Sequence, residues 1–182
     1  DAICQFINKN SIVPAKKWYI ESNKSGDKKA SNQSFENVRG KKVSAEAIIS
    51  RDMLKEYLRV SPEEMVEYAS ICQSGAMQSG TLGVQGHYAN GLAAIYIACG
   101  QDAACVSESS VGITRYSLTD EGKLYASVTL PNIVVGTVGE GKAKIFSEII
   151  AAACLAGEIS IAAAICSHDF TRAHKIYARL KK

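Results

Sequence analysis

An α+β fold is what these 182 residues predict, on three observations. Strand-like alternation appears in VSAEAII, Val43–Ile49, and again through GITRYSLTDEGKLYASVTLPNIVV, Gly112–Val135, where a turn signal at Asp120-Glu121-Gly122 splits it into a hairpin. A long alanine-rich run, Lys142–Cys166, reads as helix, with Ala151–Ala153 and Ala162–Ala164 small enough to lie close on a sheet. Between these elements lies HYANGLAAIYIACGQD, His87–Asp102, the most apolar run that also carries ionisable residues at both ends. Leu92, Ile95, Tyr96 and Cys99 recur at helical spacing with alanines on the other faces, which predicts a long buried central helix. Asp102 follows its terminal Gly100, and a carboxylate carried on a buried helix needs a cationic or hydrogen-bonding partner. The pattern asks for a lysine there if that end is buried; a helix end turned to water, with Asp102 solvated, is the other reading and the commoner one.

The remaining elements follow in order. Ala2, Ile3, Phe6 and Ile7 mark the last turns of an amphipathic helix, and a Pro14 loop leads to a short strand at Lys17–Ile20. ESNKSGDKKASNQ, Glu21–Gln33, is polar and small, the chemistry of a loop. RDMLKEYL, Arg51–Leu58, reads as a short helix. Ser61-Pro62-Glu63-Glu64 opens a firmer helix, with a capping hydroxyl, proline at the first position and the glutamate a capping box requires; it should run to about Met77. The glycine-spaced SGTLGVQG, Ser79–Gly86, delivers the chain to the central helix, and DFTRAHKIYARLKK, Asp169–Lys182, is a basic amphipathic tail.

Composition narrows the functions. With 47% apolar residues the chain can bury one core, and its net charge of +3 is too small and scattered for a nucleic-acid surface. The six cysteines form no CxxC pair, which points to a reducing, cytoplasmic setting. The first residues lack a signal-peptide layout and start as if inside a helix, as a fragment would. The membrane-like run Ile149–Cys166 is broken by Glu158, so a buried helix is expected and no membrane segment. GTVGEGKA, Gly136–Ala143, has the spacing of a phosphate-binding loop, but Ala143 stands where Ser or Thr would ligate magnesium. His87, His168 and His174 lie far apart and match no metal-ligand spacing, and no nucleophile elbow is present.

A lysine loop, an aspartate after an apolar helix and a histidine near the terminus are left, and their order is recognisable. SGDKK at Ser25–Lys29, RGKKV at Arg39–Val43, GHYANGLAAIYIACGQDAA at Gly86–Ala104, LPNIVVGTVG at Leu130–Gly139 and LAGEIS at Leu155–Ser160 closely resemble the class I 3-hydroxy-3-methylglutaryl-coenzyme A (HMG-CoA) reductase family. The resemblance covers nearly the whole chain, which is less than half of a full catalytic portion. It implies that residues 1–20 end a small ferredoxin-like, NADP-binding domain, that 21–35 form the active-site loop, and that 36–182 form the large substrate domain.

Residue roles come with the same resemblance. Lys28 matches the catalytic lysine that stabilises the oxyanion, and Asp102 the catalytic aspartate networked with it. His174 matches the histidine that protonates the departing coenzyme A thiolate. Asp27 is implied in holding cofactor and Lys29 in facing the substrate carboxylate. Asn90 bonds the lysine and the substrate, and His87 is a polar family position one helical turn earlier. NADPH, with NADH as the other donor, HMG-CoA, coenzyme A and a homodimer or higher oligomer with intersubunit sites are implied.

The departures are specific. The family's Glu-Asn-Val proton donor lies upstream of Asp1, and Glu36-Asn37-Val38 follows the lysine loop and is not that motif. The nicotinamide-binding DAMGMN is absent, and Leu180 replaces a serine that some eukaryotic members phosphorylate. Gly139 runs almost directly into the alanine-rich helix, where the family has roughly twenty more residues, so the apparent phosphate loop is a product of the junction. An inactive member acting as a structural or binding subunit is the alternative. Joint retention of Lys28, Asn90, Asp102 and His174 favours the enzyme.

Overall fold

A computed structural model describes residues 2–17, 28–36, 39–173 and 176–177. Its core is a sheet built around one long strand, β4 (Leu124–Ile133). β4 pairs antiparallel with β1 (Lys41–Ile49) and with β3 (Gly112–Leu118), and the two-residue β2 (Gly83–Val84) adds in parallel to β3. The order is therefore β1-β4-β3-β2. Register follows the alternation read from the sequence: Val43 lies opposite Leu130, Ile49 opposite Leu124, and Leu118 opposite Leu124 from the other side. Leu124, Ala126, Val128 and Leu130, two apart, are all excluded from solvent, while the opposite face carries a Ser44–Thr129 hydroxyl pair at 2.9 Å. The hairpin turns where expected, with Gly122 at φ +72.

Helices cover the apolar face. Besides α1 (Ala2–Asn10) and α2 (Gln33–Glu36), a short α3 (Arg51–Met53) continues as a π-helical turn to Leu58. α4 (Pro62–Ser79) has the expected capping box, with Ser61 Oγ accepting from the Glu64 N–H at 3.3 Å and the Glu64 carboxylate accepting from the Ser61 N–H at 2.7 Å. It runs two residues past Met77 and stops at Gly80, whose φ of +69 allows the left-handed cap. α7 (Lys142–Cys166) lies across β1 and β4 through a stripe of Ile150, Ala151, Cys154, Leu155, Glu158, Ala162 and Ala163. Length and apolarity alone would let α7 cross a bilayer. Its stripe against the sheet, with Glu158 turned inward, is the packing of a core helix.

The central run corrects one expectation. α5 (Tyr88–Ala98) is not buried all round: Tyr88, Leu92 and Tyr96, four apart, are fully enclosed, whereas Ile97 is 70% exposed. The helix meets α7 and α6 (Val106–Ser109) along one side only, so its apolarity exceeds the surface that neighbours within this chain can cover. The two tyrosines stay satisfied inside. Tyr96 Oη donates to Ser109 Oγ and Thr114 Oγ1 donates to Tyr88 Oη, each at 2.9 Å.

α8 (Asp169–Ala173) closes the regular structure. The expected strand at Lys17–Ile20 lies outside the described residues beyond an irregular Lys17, as do the loop through Asp27 and half of the basic tail. α1 buries no side chain, and Ile3, Phe6 and Ile7 are 61–74% exposed.

Candidate active site

Asp102 is positioned by the way α5 ends. Gly100 takes φ +64, the chain folds back so that the Gln101 N–H reaches the Tyr96 carbonyl at 2.8 Å, and Asp102 then caps a 3-10 turn, Ala103–Cys105, by accepting from the Ala104 N–H at 3.0 Å. Lys28 Nζ lies 2.8 Å from Asp102 Oδ2. The partner that the sequence asks for is thus present, but the burial behind that request is not, since the two side chains are 45% and 54% exposed. The Lys28 ammonium, with help from the Ala104 N–H, holds the Asp102 carboxyl below its usual range, so it is an anion at neutral pH.

A second carboxylate, which sequence reading missed, lies beneath this pair. Glu108 on α6 is 3% exposed in its side chain. It accepts from the Lys28 backbone N–H at 3.1 Å, from Arg39 Nε at 3.1 Å and from Asn132 Nδ2 at 3.1 Å, and Arg39 reaches its other oxygen as well. Burial pushes its acidity down, yet the Arg39, Lys28 and Asn132 donors outweigh burial and leave the pKa lowered. Asn132 in turn accepts from the Gly40 N–H at 2.8 Å. A side chain at Gly40 would come within 2.4 Å of the Ile133 carbonyl oxygen, which accounts for the glycine of the RGKK stretch. Cys105, between the two carboxylates, has its thiol pKa raised by burial and by the Asp102 and Glu108 charges, against the opposing Arg39 and Lys28 cations.

At the opposite end of α5 stands His87. Its N–H and that of Gly86 both donate to Glu158, at 2.5 and 2.9 Å, which ties the start of α5 to the middle of α7. The imidazole fits between two glycines: a side chain at Gly157 would lie 2.1 Å from His87 Nδ1, and one at Gly91 2.7 Å from Cε1. Nδ1 is buried and finds no hydrogen-bond partner among the described residues. Asn90 is exposed on the first turn of α5, and Lys29 is exposed beside Lys28. Asp27 and His174 lie outside the described residues. The structure joins Lys28 to Asp102, and it places Asn90 in the first turn of α5 and His87 at that helix's start. The 11 residues of α5, about 16 Å of helix at ~1.5 Å per residue, separate His87 from the segment that bears Asp102.

Beside Asp102 runs an open groove of about 510 Å³ between Cys99, Gln101, the glycine-rich segment Gly136–Val138 and the first turns of α7. Gln101 Oε1 anchors its wall by accepting from the Gly136 N–H at 2.8 Å, and Lys142 is its cation.

A profile of the hydroxymethylglutaryl-coenzyme A reductase family matches residues 1–142 and 139–179. The chain belongs to the hydroxymethylglutaryl-coenzyme A reductase family. Among its relatives are 3-hydroxy-3-methylglutaryl-coenzyme A reductases of Pyrococcus abyssi, 38% identical over 84% of this chain and 44% of the relative, and of Aeropyrum pernix, 36% identical over 98% and 48%. A 3-hydroxy-3-methylglutaryl-coenzyme A reductase 2 of Gossypium hirsutum is 34% identical over 90% of this chain and 30% of its own length. The chain thus spans half or less of the length of the curated relatives it matches. The two profile segments meet at 139–142, and the Aeropyrum alignment runs 205 positions against 182 residues, so that relative carries residues with no counterpart here. Both facts agree with the shortened connection after Gly139.

For this reductase-family chain the two missed residues differ in how visible they were. Glu158 is the lone charge in the apolar run 149–166, and such a charge has to be paid for by donors, here two N–H groups. Glu108 carries no such mark, because CVSESSV has neither period nor motif.

Proposed function

We propose that the complete protein is an HMG-CoA reductase, reducing the thioester of HMG-CoA to mevalonate with release of coenzyme A and consumption of NADPH, NADH being the other candidate donor. The observation that carries this reading is the 2.8 Å contact between Lys28 and Asp102 in a chain of this family. A lysine ammonium is a cation with three N–H donors, the kind of group that stabilises an oxyanion developing on a substrate carbonyl. Half-exposed, the pair is accessible to a substrate carbonyl. His174 is assigned the proton transfer to the coenzyme A sulfur, Lys29, Asn90 and His87 the substrate contacts, and Asp27 the cofactor contact, on the family resemblance. An inactive, purely structural member is not favoured, since the lysine and aspartate are kept in register.

A bound nicotinamide cofactor supplies hydride. The groove at Gly136–Val138 has one cation, Lys142, but its lining of Cys99, Val138, Ile145, Phe146 and Ile149 is apolar, so no cofactor contact is assigned to it. Residues 1–20 are assigned to a small ferredoxin-like cofactor domain, which the open apolar face of α1 supports. The ~16 Å of α5 between His87 and the segment that bears Asp102, together with the uncovered outer face of α5, supports a homodimer or higher oligomer whose sites are completed across subunits. All six thiols are free, which suits the cytoplasm.

The test uses the complete protein and follows NADPH oxidation with HMG-CoA and, separately, with mevaldehyde. Lys28→Ala should cripple both reductions, because each needs oxyanion stabilisation. His174→Gln should cost roughly 10²–10⁴-fold with HMG-CoA and much less with mevaldehyde, which releases no thiolate. Absence of turnover with NADPH and with NADH in the parent overturns the reading.

A further inference from the structure

Lys28 is held by its backbone as well as by its ammonium. Its backbone takes φ +55, the left-handed region that a side chain other than glycine rarely enters, and its N–H in that conformation points at Glu108 Oε1, 3.1 Å away. Glu108 is itself immobilised. Its buried carboxylate draws donors from three separate segments, the Lys28 loop, Arg39 just before β1 and Asn132 near the end of β4. Asp102, which holds the ammonium, lies six residues earlier on the same turn of chain that carries Glu108. One rigid segment, 102–109, therefore grips the lysine by backbone and by side chain.

We propose that Glu108 is a positioning residue for Lys28: it fixes the lysine backbone in the left-handed conformation from which the ammonium reaches Asp102 and the reacting oxygen. The inference rests on the reading of Lys28 as the oxyanion partner. A lysine stem has four rotatable bonds, so an anchored ammonium alone leaves the backbone several ways to reach it. Fixing the N–H removes that freedom, and misplacement of a catalytic group by about 1 Å costs up to ~10²-fold in rate. Glu108 touches no substrate, so its loss acts on turnover through Lys28 and not on binding.

The experiment is Glu108→Gln in the complete enzyme, scored by steady-state kinetics and by site-resolved acetylation of Lys28 against Lys29. The amide cannot accept the Arg39 fork and the Lys28 N–H together. We expect kcat to fall about 10–100-fold with KM for HMG-CoA within about 3-fold. Acetylation of Lys28 should rise several-fold relative to the exposed Lys29. Full activity in Glu108→Gln beside a dead Lys28→Ala overturns the positioning role and leaves the proposed function standing. If the parent shows no reductase turnover, that function fails, and the acetylation ratio alone decides the grip: an unchanged ratio refutes it. Should Glu108→Gln not fold, the α-hydroxy analogue of lysine at position 28 deletes only the N–H donor and keeps the Glu108–Arg39 pair. It must show the same loss of kcat and the same rise in labelling, or the proposal is wrong.

Discussion

Gly157→Ala offers the sharpest test of how the far end of α5 is built. A methyl at position 157 would lie 2.1 Å from His87 Nδ1, 2.3 Å from Cε1 and 2.7 Å from Cγ, so the imidazole has to retreat by roughly 1 Å or more to reach ordinary contact. α7 cannot yield instead, because Cys154, Leu155 and Glu158 around that turn are 0–6% exposed against the core. Overpacking of this kind costs about 1–3 kcal/mol, offset by about 1 kcal/mol from replacing glycine within a helix. Removing the ring changes the sign. In a His87→Ala background the new methyl enters vacated space, and Gly157→Ala should then stabilise by up to about 1 kcal/mol. The double-mutant cycle, read from urea unfolding of the four proteins, should show a coupling of about 1–3 kcal/mol. Additivity within about 0.5 kcal/mol would mean that His87 does not sit in the slot between the two glycines.

Two further outcomes follow from the caps and the carboxylates. Ser61→Ala removes the hydroxyl that accepts the Glu64 N–H and should cost about 0.5–2 kcal/mol, lowering Tm by a few degrees, while Ser61→Asp should recover most of it; calorimetry on the three proteins decides. Glu108 and Asp102 both have lowered pKa values in the fold, so their contribution is complete above the unfolded carboxylate range of about 3.9–4.3 and is lost as pH falls through the lower folded values. The urea midpoint of the parent should therefore drop more steeply than that of Glu108→Gln below about pH 4.5, and equal slopes would show that Glu108 titrates normally.

Most of the scaffold was legible because local rules and tertiary demand agree in it. The capping box at Ser61, the turn at Asp120–Gly122 and the alternation of β4 each reach their register from near neighbours alone, and α7 begins and ends where the alanine-rich pattern does. α5 was misjudged for the opposite reason. Periodicity counts apolar residues, but burial counts the neighbours that cover them, and no pattern within His87–Asp102 says how many sides of the helix this chain can reach. Ile97 and Tyr96 are adjacent and equally apolar to such a count, yet one is 70% exposed and the other fully enclosed.

The site shows the same limit in its carboxylates. Asp102 and Glu108 stand six residues apart in one segment; the helix end left Asp102 open between a buried, paired charge and a solvated one, and nothing marked Glu108 as the buried carboxylate. Asp102 is half exposed, so its pairing with Lys28 is a geometric restraint more than a rescue from desolvation. Glu108 bears the desolvation, and the donors that compensate it come from positions 24 to 80 residues away: the Lys28 backbone, Arg39 and Asn132. Such a cluster has no one-dimensional signature, because each donor is an ordinary residue in its own segment. Only when β1, β4 and the lysine loop converge on α6 does the carboxylate become affordable, and with it the left-handed Lys28 that presents its ammonium to Asp102.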